Sequence, residues 1–404
     1  MATSIRAVLH SSSFKTGTAV FWVMRIFLTL WAILALAVSP LPAEPNEIER
    51  PYLGQPILNE GAAGLLLGPW QRFDTLHYTR IAAEGYTNES DSVFPPLYPL
   101  LIRATGFPIG NTHSTHMLLG IIIGNLACWA LFVLFHYIAD KELGEANSTR
   151  TLVYYAIFPT AFFLVAPYTE SLFLLLTLGS LWLVKYGRFG WAGLLGFGAT
   201  LTRNTGALLI IPFAYQYWQH CLGYGKWKIE PASWSRQLIG KGIAVLLPAV
   251  AFLLFVIYRA SIGLPSLGRI YNEYWYQKTG IPGQDLLRAL NTMLLGGKAR
   301  SGELTLWFDF FVAILLLITT ILAFKRFGIM WGLYSAVMLF FIFLPTSELK
   351  PLYSFSRYAL AFFPTFLLFG EWGKNGWMNR LILYPSIVLY LYFSGQFFIW
   401  GWVA

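Results

Sequence analysis

Thr115–Ala139 reads THMLLGIIIGNLACWALFVLFHYIA, 25 residues without one Asp, Glu, Lys or Arg. As a helix rising ~1.5 Å per residue, it exceeds the ~30 Å hydrocarbon core of a bilayer. Outward from it the pattern repeats. Apolar runs lie near 17–39, 151–167, 170–187, 242–259, 303–324, 328–345, 357–371 and 381–403, and short segments between them hold nearly all the charge. Composition agrees: 56% of the 404 residues are hydrophobic and 12% charged, against about 25% charged in a soluble domain. Many of the 16 Trp and 22 Tyr sit at the ends of the runs, as rings that favour the headgroup zone do. The pattern predicts an all-α polytopic membrane protein.

Residues 190–218 are a special case. They are apolar except for LTRNTG at 201–206, and at 29 residues they fall short of the ~40 that two spans need. Two short helices meeting at a polar break fit better. Such a break survives in a membrane only where it lines a protein cavity. With that pair, about 11 membrane helices are expected. No repeat or low-complexity tract divides the chain, so it reads as one domain over 1–404. The run Val20–Val38 is longer than the ~7–15 residues of a cleaved signal's apolar region and reads as a retained first helix.

The net charge of +9 is spread over short loops. That distribution suits membrane lipids or a phosphate ligand and excludes a nucleic-acid partner. The Lys/Arg bias places the N-terminus with Arg6, the 140–150 loop, Lys185 with Arg188, the 219–241 loop with Lys226 and Lys228, Lys325 with Arg326, and Lys374 with Arg380 in the cytosol. Segments 40–114, 260–302 and 346–356 are then extracytoplasmic. The 40–114 loop carries eight acids against four bases, in keeping with that side. Cys128 lies in an apolar run and Cys221 in a basic loop, so no disulfide is expected.

The chemistry concentrates in Trp70–Tyr86, WQRFDTLHYTRIAAEGY. Residues 74–84 are expected to form a short helix, stopped by Gly85. Asp74 would open it, where the backbone dipole favours a carboxylate, with His77 and Tyr78 on the same face. Phe94-Pro-Pro-Leu-Tyr-Pro99 follows as a stiff connector. Taken alone, the segment also fits an interfacial helix that Asp74 merely caps. Glu89-Ser-Asp91 has the spacing of an acidic metal motif, but its polar loop reads as solvated surface. No His/Cys cluster has metal-ligand spacing and no phosphate-binding loop of the GxxxxGK type occurs. No cofactor is expected, and metal dependence stays open. Asn88-Glu-Ser is a glycosylation triplet, relevant only in a eukaryotic secretory setting.

Trp70-x-Arg72-Phe73-Asp74-x-x-His77-Tyr78, Ala83-Glu84-Gly85-Tyr86 and Phe94-Pro-Pro-Leu-Tyr-Pro99 resemble the first extracytoplasmic loop of the PIG-V-type mannosyltransferases, in the GT-C superfamily. The similarity continues at Pro167-Tyr-Thr-Glu170-Ser-Leu-Phe, Leu201-Thr-Arg203-Asn204-x-Gly206 and Ser356-Arg357-Tyr358. Phe73 stands where members often have Trp, and 260–302 matches no recognised motif.

The resemblance implies a GT-C fold and an inverting transfer of sugar, most often mannose. The donor would be a polyprenyl- or dolichyl-phosphate sugar and the acceptor a glycolipid or glycan. It implies the plasma membrane of a prokaryote or the endoplasmic reticulum of a eukaryote, with the site outside the cytosol. Asp74 matches the catalytic acid, a general base for the acceptor hydroxyl. The leaving phosphate calls for fixed cations, for which Arg203 and Arg357 are the candidates. Arg203 would otherwise pair with Glu170 or Asp309, and Arg357 would otherwise snorkel at a helix end. Arg72, His77, Tyr78, Arg80, Tyr98, Glu170, Asn204 and Tyr358 complete the expected substrate-binding set, Glu170 either orienting a sugar hydroxyl or pairing with an Arg. A lipid or lipid-linked-sugar flippase is the competing reading, since broken helices and buried charges also mark transport pathways. A non-enzymatic assembly subunit is a third, which leaves Arg203 unexplained.

Overall fold

The computed structural model describes residues 11–44, 46, 50–222, 236–295 and 302–403. Arg6, Lys226 and Lys228 lie outside the described residues. Among those described, Ser12–Val38, His113–Leu143, Arg236–Ser261, Glu303–Phe327 and Gly376–Phe398 are long and apolar enough to cross a membrane. Their exposed faces carry the signature of lipid contact. Along Ser12–Val38, Phe21, Met24, Leu28 and Ala32 are buried, while Val23, Leu30, Leu34 and Val38 on the open side are equally apolar. In water such a face would aggregate; in a bilayer it is the matched surface. The chain is an integral membrane protein.

Polar contacts sort the connections to two ends of the bundle. At one end Ser12 donates to Glu145 (2.8 Å), Lys185 pairs with Glu142, His220 lies 3.1 Å from the Lys185 carbonyl, and Arg326 pairs with Glu371 (3.0 Å). At the other end the first loop meets the second and the C-terminal segment. Arg72 donates to the Phe398 carbonyl (3.0 Å), Arg259 to Ser92 (3.0 Å), and Trp275 to the Ser90 carbonyl (3.3 Å). A two-residue ladder, Lys278–Thr279 antiparallel to Pro345–Thr346, staples the second loop to the segment before Arg357.

Two of the expected spans are not continuous helices. The helix expected over 151–167 ends at Ala156, and a 3-10 turn, Ala161–Leu164, bridges to the next helix, Glu170–Lys185. Pro159 and Pro167 supply no N–H and disfavour helical geometry in the residue before them. The span expected at 357–371 is likewise divided, into Phe355–Tyr358, Ala359–Ala361 and Phe363–Trp372, with Pro364 opening the last piece. Buried tyrosines meet the carbonyls this frees: Tyr155 donates to Leu360 (3.0 Å) and Tyr334 to Ala361 (2.8 Å). The break within 190–218 is present, between Phe189–Thr202 and the 3-10 turn Asn204–Leu209. Gly206 permits it: a Cβ there would stand 2.4 Å from the Thr200 backbone nitrogen.

Candidate active site

The three breaks face one another, and the first loop closes over them. Its helix runs Asp74–Glu84, with Asp74 as first residue and Gly85 (φ 77°) ending it. Phe73 adopts φ 46°, ψ −119°, a conformation a non-glycine residue holds only when its surroundings over-determine it. They do. Its ring packs edge-on against Trp400 and Trp402, each with centroids 5.4 Å away. The Tyr168 hydroxyl spans the turn, accepting from the Asp74 N–H and donating to the Arg72 carbonyl, both at 3.3 Å.

The carboxylate so presented meets Arg357, whose Nη2 lies 2.7 Å from Asp74 Oδ2. The second Asp74 oxygen has no hydrogen-bond partner among the described residues. Arg357 also donates from Nε to Glu170 Oε1 (2.5 Å), and Arg203 pairs with that same oxygen. Glu170 Oε2 is buried without a hydrogen-bond partner among the described residues. One carboxylate oxygen thus tethers two guanidinium groups without satisfying either planar fork. Phe163 and Tyr168 flank Arg357, each centroid 4.8 Å from its Cζ, and Tyr358 lies 5.5 Å from Arg203. The Ser356 peptide before Arg357 is pinned from both sides: Asp309 accepts its N–H (2.8 Å) and Thr160 donates to its carbonyl (2.8 Å).

A cleft of about 120 Å³ opens between these charges and an aromatic wall; Asp74, Tyr78, Arg203, Asn204, Arg357 and Tyr358 line it. The matching family profile, described as Mannosyltransferase (PIG-V), covers residues 18–261, with Asp74, Glu170 and Arg203 inside the match. The chain belongs to the PIG-V mannosyltransferase family. It is 29% identical over 218 residues to the GPI alpha-1,6-mannosyltransferase 2 of Mus musculus, covering 50% of this chain and 42% of that protein. Over 195 residues it is 28% identical to the GPI mannosyltransferase 2 of Schizosaccharomyces pombe, 45% of this chain and 39% of that one. The Yarrowia lipolytica GPI mannosyltransferase 2 is 42% identical over 206 residues, 48% and 52% of the two chains. The chain spans about half or less of the length of these curated relatives.

Not every residue expected to touch substrate reaches the cleft of this PIG-V family member. Arg72 is buried and committed to the Gly68, Gln71 and Phe398 carbonyls, with its guanidinium 4.8 Å from the Trp400 ring centroid; it braces the loop against the C-terminal segment. Tyr98 donates to the Gly120 carbonyl (2.8 Å) and anchors the loop to the membrane helix behind it. It does so from within a helix, Leu97–Gly106, so the stiff connector ends at Pro96. Arg80 and His77 converge on Asp91. Arg80 donates to both of its oxygens, at 2.8 and 2.7 Å, and His77 Nδ1 donates to Oδ1 at 2.5 Å. Asp91 is fully buried while Glu89 is exposed, so the expectation that Glu89-Ser-Asp91 is solvated surface holds at Glu89 and is corrected at Asp91. Burial alone would raise the Asp91 pKa, but the hydrogen bonds from His77 and Arg80 outweigh it and hold it below the ordinary 3.8.

Sequence reasoning did not reach the opposite wall, where Tyr271, Trp275 and Gln277 of the second loop line the cleft. The available signal was the aromatic run Tyr274-Trp275-Tyr276 in the second loop. Burial, with Tyr358 nearby, pushes the Tyr271 hydroxyl up to about 12, so it remains a neutral donor. Among the described residues no group of three or more His, Cys, Asp or Glu could hold a metal.

Proposed function

We propose that the protein is an inverting mannosyltransferase that takes its sugar from a polyprenyl- or dolichyl-phosphate donor and passes it to a lipid-linked glycan. The observation that carries this reading is the convergence of Asp74, Arg203 and Arg357 on one cleft at three helix breaks. Family membership and the curated relatives' names supply the mannosyl group and the glycolipid class of acceptor.

In the proposed reaction the donor phosphate lies against Arg203 and Arg357, whose forks retain unused N–H groups. The acceptor hydroxyl approaches the open oxygen of Asp74. As the acceptor oxygen attacks the anomeric carbon, Asp74 takes its proton. The carbon–oxygen bond to phosphate breaks on the opposite face, inverting the centre, and the electron pair leaves with the lipid phosphate. Fixed guanidinium groups stabilise that charge where it develops. Glu170 keeps both cations in place. In a low-dielectric site, two like charges that close would otherwise repel by several kcal/mol or more.

The fold proposed for this chemistry is GT-C, one domain with the cleft on the extracytoplasmic side. Five short helices reach from the basic end to the site: Glu145–Ala156, Glu170–Lys185, Phe189–Thr202, Ile329–Ile342 and Phe363–Trp372. With Ile210–Tyr217 and the five long helices, they are the segments we assign to the 11 membrane helices of the proposed fold.

The test is transfer by the purified protein from synthetic polyprenyl-phosphate mannose to a panel of glycolipid acceptors. Mannosylated product with inverted linkage supports the reading. Movement of the intact donor across a vesicle bilayer without product would favour a flippase.

A further inference from the structure

The cleft has two chemically different walls. One carries the charges. The other is built by the second loop, outside the stretch that matches the family. There the helix Leu267–Trp275 ends in Tyr276, a non-glycine residue with φ 54°. That turn folds the chain back so that the Gln277 N–H meets the Tyr271 carbonyl at 2.9 Å, and it brings Tyr271, Trp275 and Gln277 to the cleft together. Strain of this kind persists where the surrounding structure enforces it. Here the helix on one side and the Lys278–Thr279 ladder on the other enforce it.

Trp275 is fixed as a platform. Its indole N–H donates to the Ser90 carbonyl (3.3 Å). Its ring meets Phe94 at 5.5 Å and His77 at 5.4 Å, the latter held by Asp91. With its donor spent on protein, the indole offers the cleft an apolar ring. Beside it, no hydrogen bond engages the Gln277 side-chain amide among the described residues. An apolar plate flanked by a free amide suits a pyranose, which has an apolar C–H face and an edge of hydroxyls. It suits a phosphate poorly, and that need is met on the other wall.

We infer that Trp275 and Gln277 form the acceptor-sugar subsite, the indole stacking on the pyranose and the amide bonding its hydroxyls. The inference rests on the transferase reading for its role but not for its binding chemistry. Two measurements separate these. The first is saturation-transfer NMR of the purified protein with a soluble mannobioside. The pyranose C–H protons should be labelled by the parent protein, labelled about as strongly by Trp275→Phe, and several-fold less by Trp275→Ala. The second is steady-state kinetics with polyprenyl-phosphate mannose. Gln277→Ala, which breaks no hydrogen bond within the described residues and so should fold, is expected to raise the acceptor KM about 10-fold and leave the donor KM within two-fold. Labelling unchanged in Trp275→Ala, or in Gln277→Ala should the tryptophan variant not fold, overturns the subsite. So does a donor KM that rises in step with the acceptor KM. Labelling that depends on Trp275 in a protein that transfers no mannose would uphold the subsite while sinking the transferase reading.

Discussion

Asp74 has two partners to satisfy, and its two oxygens divide the work. Oδ2 belongs to Arg357, at 2.7 Å, and in the proposed reaction the other oxygen takes the acceptor's proton. Asp74→Asn keeps the shape and can still open the helix, so its cost in stability through capping is small. It cannot take up a proton, and transfer should fall by about 10²–10⁴-fold, measured as product formed under saturating donor. Turnover within a few-fold of the parent would leave Asp74 as a helix opener only. Arg357 and Arg203 act as a pair. Lys in place of either should restore only part of the donor affinity lost in the Ala variants, because a point charge cannot hold both Glu170 and a phosphate bidentately. Titration of a donor analogue into each variant measures this. At Asp91 the same physics serves stability. The folded-state pKa is depressed, so its contribution is complete above the unfolded value near 3.9. It is lost only as pH falls through the lower, folded value. The stability that Asp91 contributes should therefore be constant between pH 5 and 8 and should weaken below about pH 4. Asp91→Ala, which strands Arg80, should cost about 3–5 kcal/mol in denaturation of the detergent-solubilised protein.

At the scale of elements, the site is a product of interrupted helices. Free N–H and C=O groups inside a bilayer must find partners within the protein, and here tyrosines, Thr160 and Asp309 provide them. Gly206→Ala tests how tightly one break is built. The added methyl would press on the Thr200 backbone at 2.4 Å, which no rotamer change relieves. The Arg203 turn should open, with transfer lost together with thermal stability; a protein as active and as stable as the parent would show that the break tolerates rearrangement. How far such features were legible depends on their range. LTRNTG announced its break because a charge and a glycine interrupt an apolar run too short for two spans. The Asp74 helix was legible to the residue from its opening acid and closing Gly85. Pro159, Pro167 and Pro364 were equally visible, yet the surrounding apolarity was read as continuous spans, since hydropathy does not register a missing N–H. Asp91 was misread because its polar neighbours look solvated; only the fold brings Arg80 and His77 onto it. Of the Trp275 wall only the aromatic run Tyr274-Trp275-Tyr276 was visible, because its place at the cleft depends on which loop covers which.

For the whole molecule, helix lengths set the depth of the cleft. Each of the five short helices has one end among the basic connections and the other near the site, and 10 to 16 residues rise only about 15–24 Å. The hydrocarbon core is ~30 Å thick, so the cleft floor would sit below the far membrane surface, within reach of a lipid phosphate drawn down from the headgroups. The long helices continue past it: Ser12–Val38 has 27 residues and could rise about 40 Å, carrying the chain out into the first loop. Helix lengths set this depth in either orientation; the proposal that the basic end is cytosolic and the acidic first loop outside rests on the distribution of Lys and Arg. Single cysteines at exposed positions of the two ends, Thr87→Cys and Lys374→Cys, decide it in a Cys221→Ser background, Cys128 being buried. In sealed, right-side-out vesicles a membrane-impermeant maleimide should label position 87 at once and position 374 only after permeabilisation. The reverse pattern would invert the protein and put the donor phosphate in the cytosolic leaflet. Labelling of both positions from outside would mean that the long helices do not cross the bilayer in alternation, and the depth derived for the cleft would fall with them.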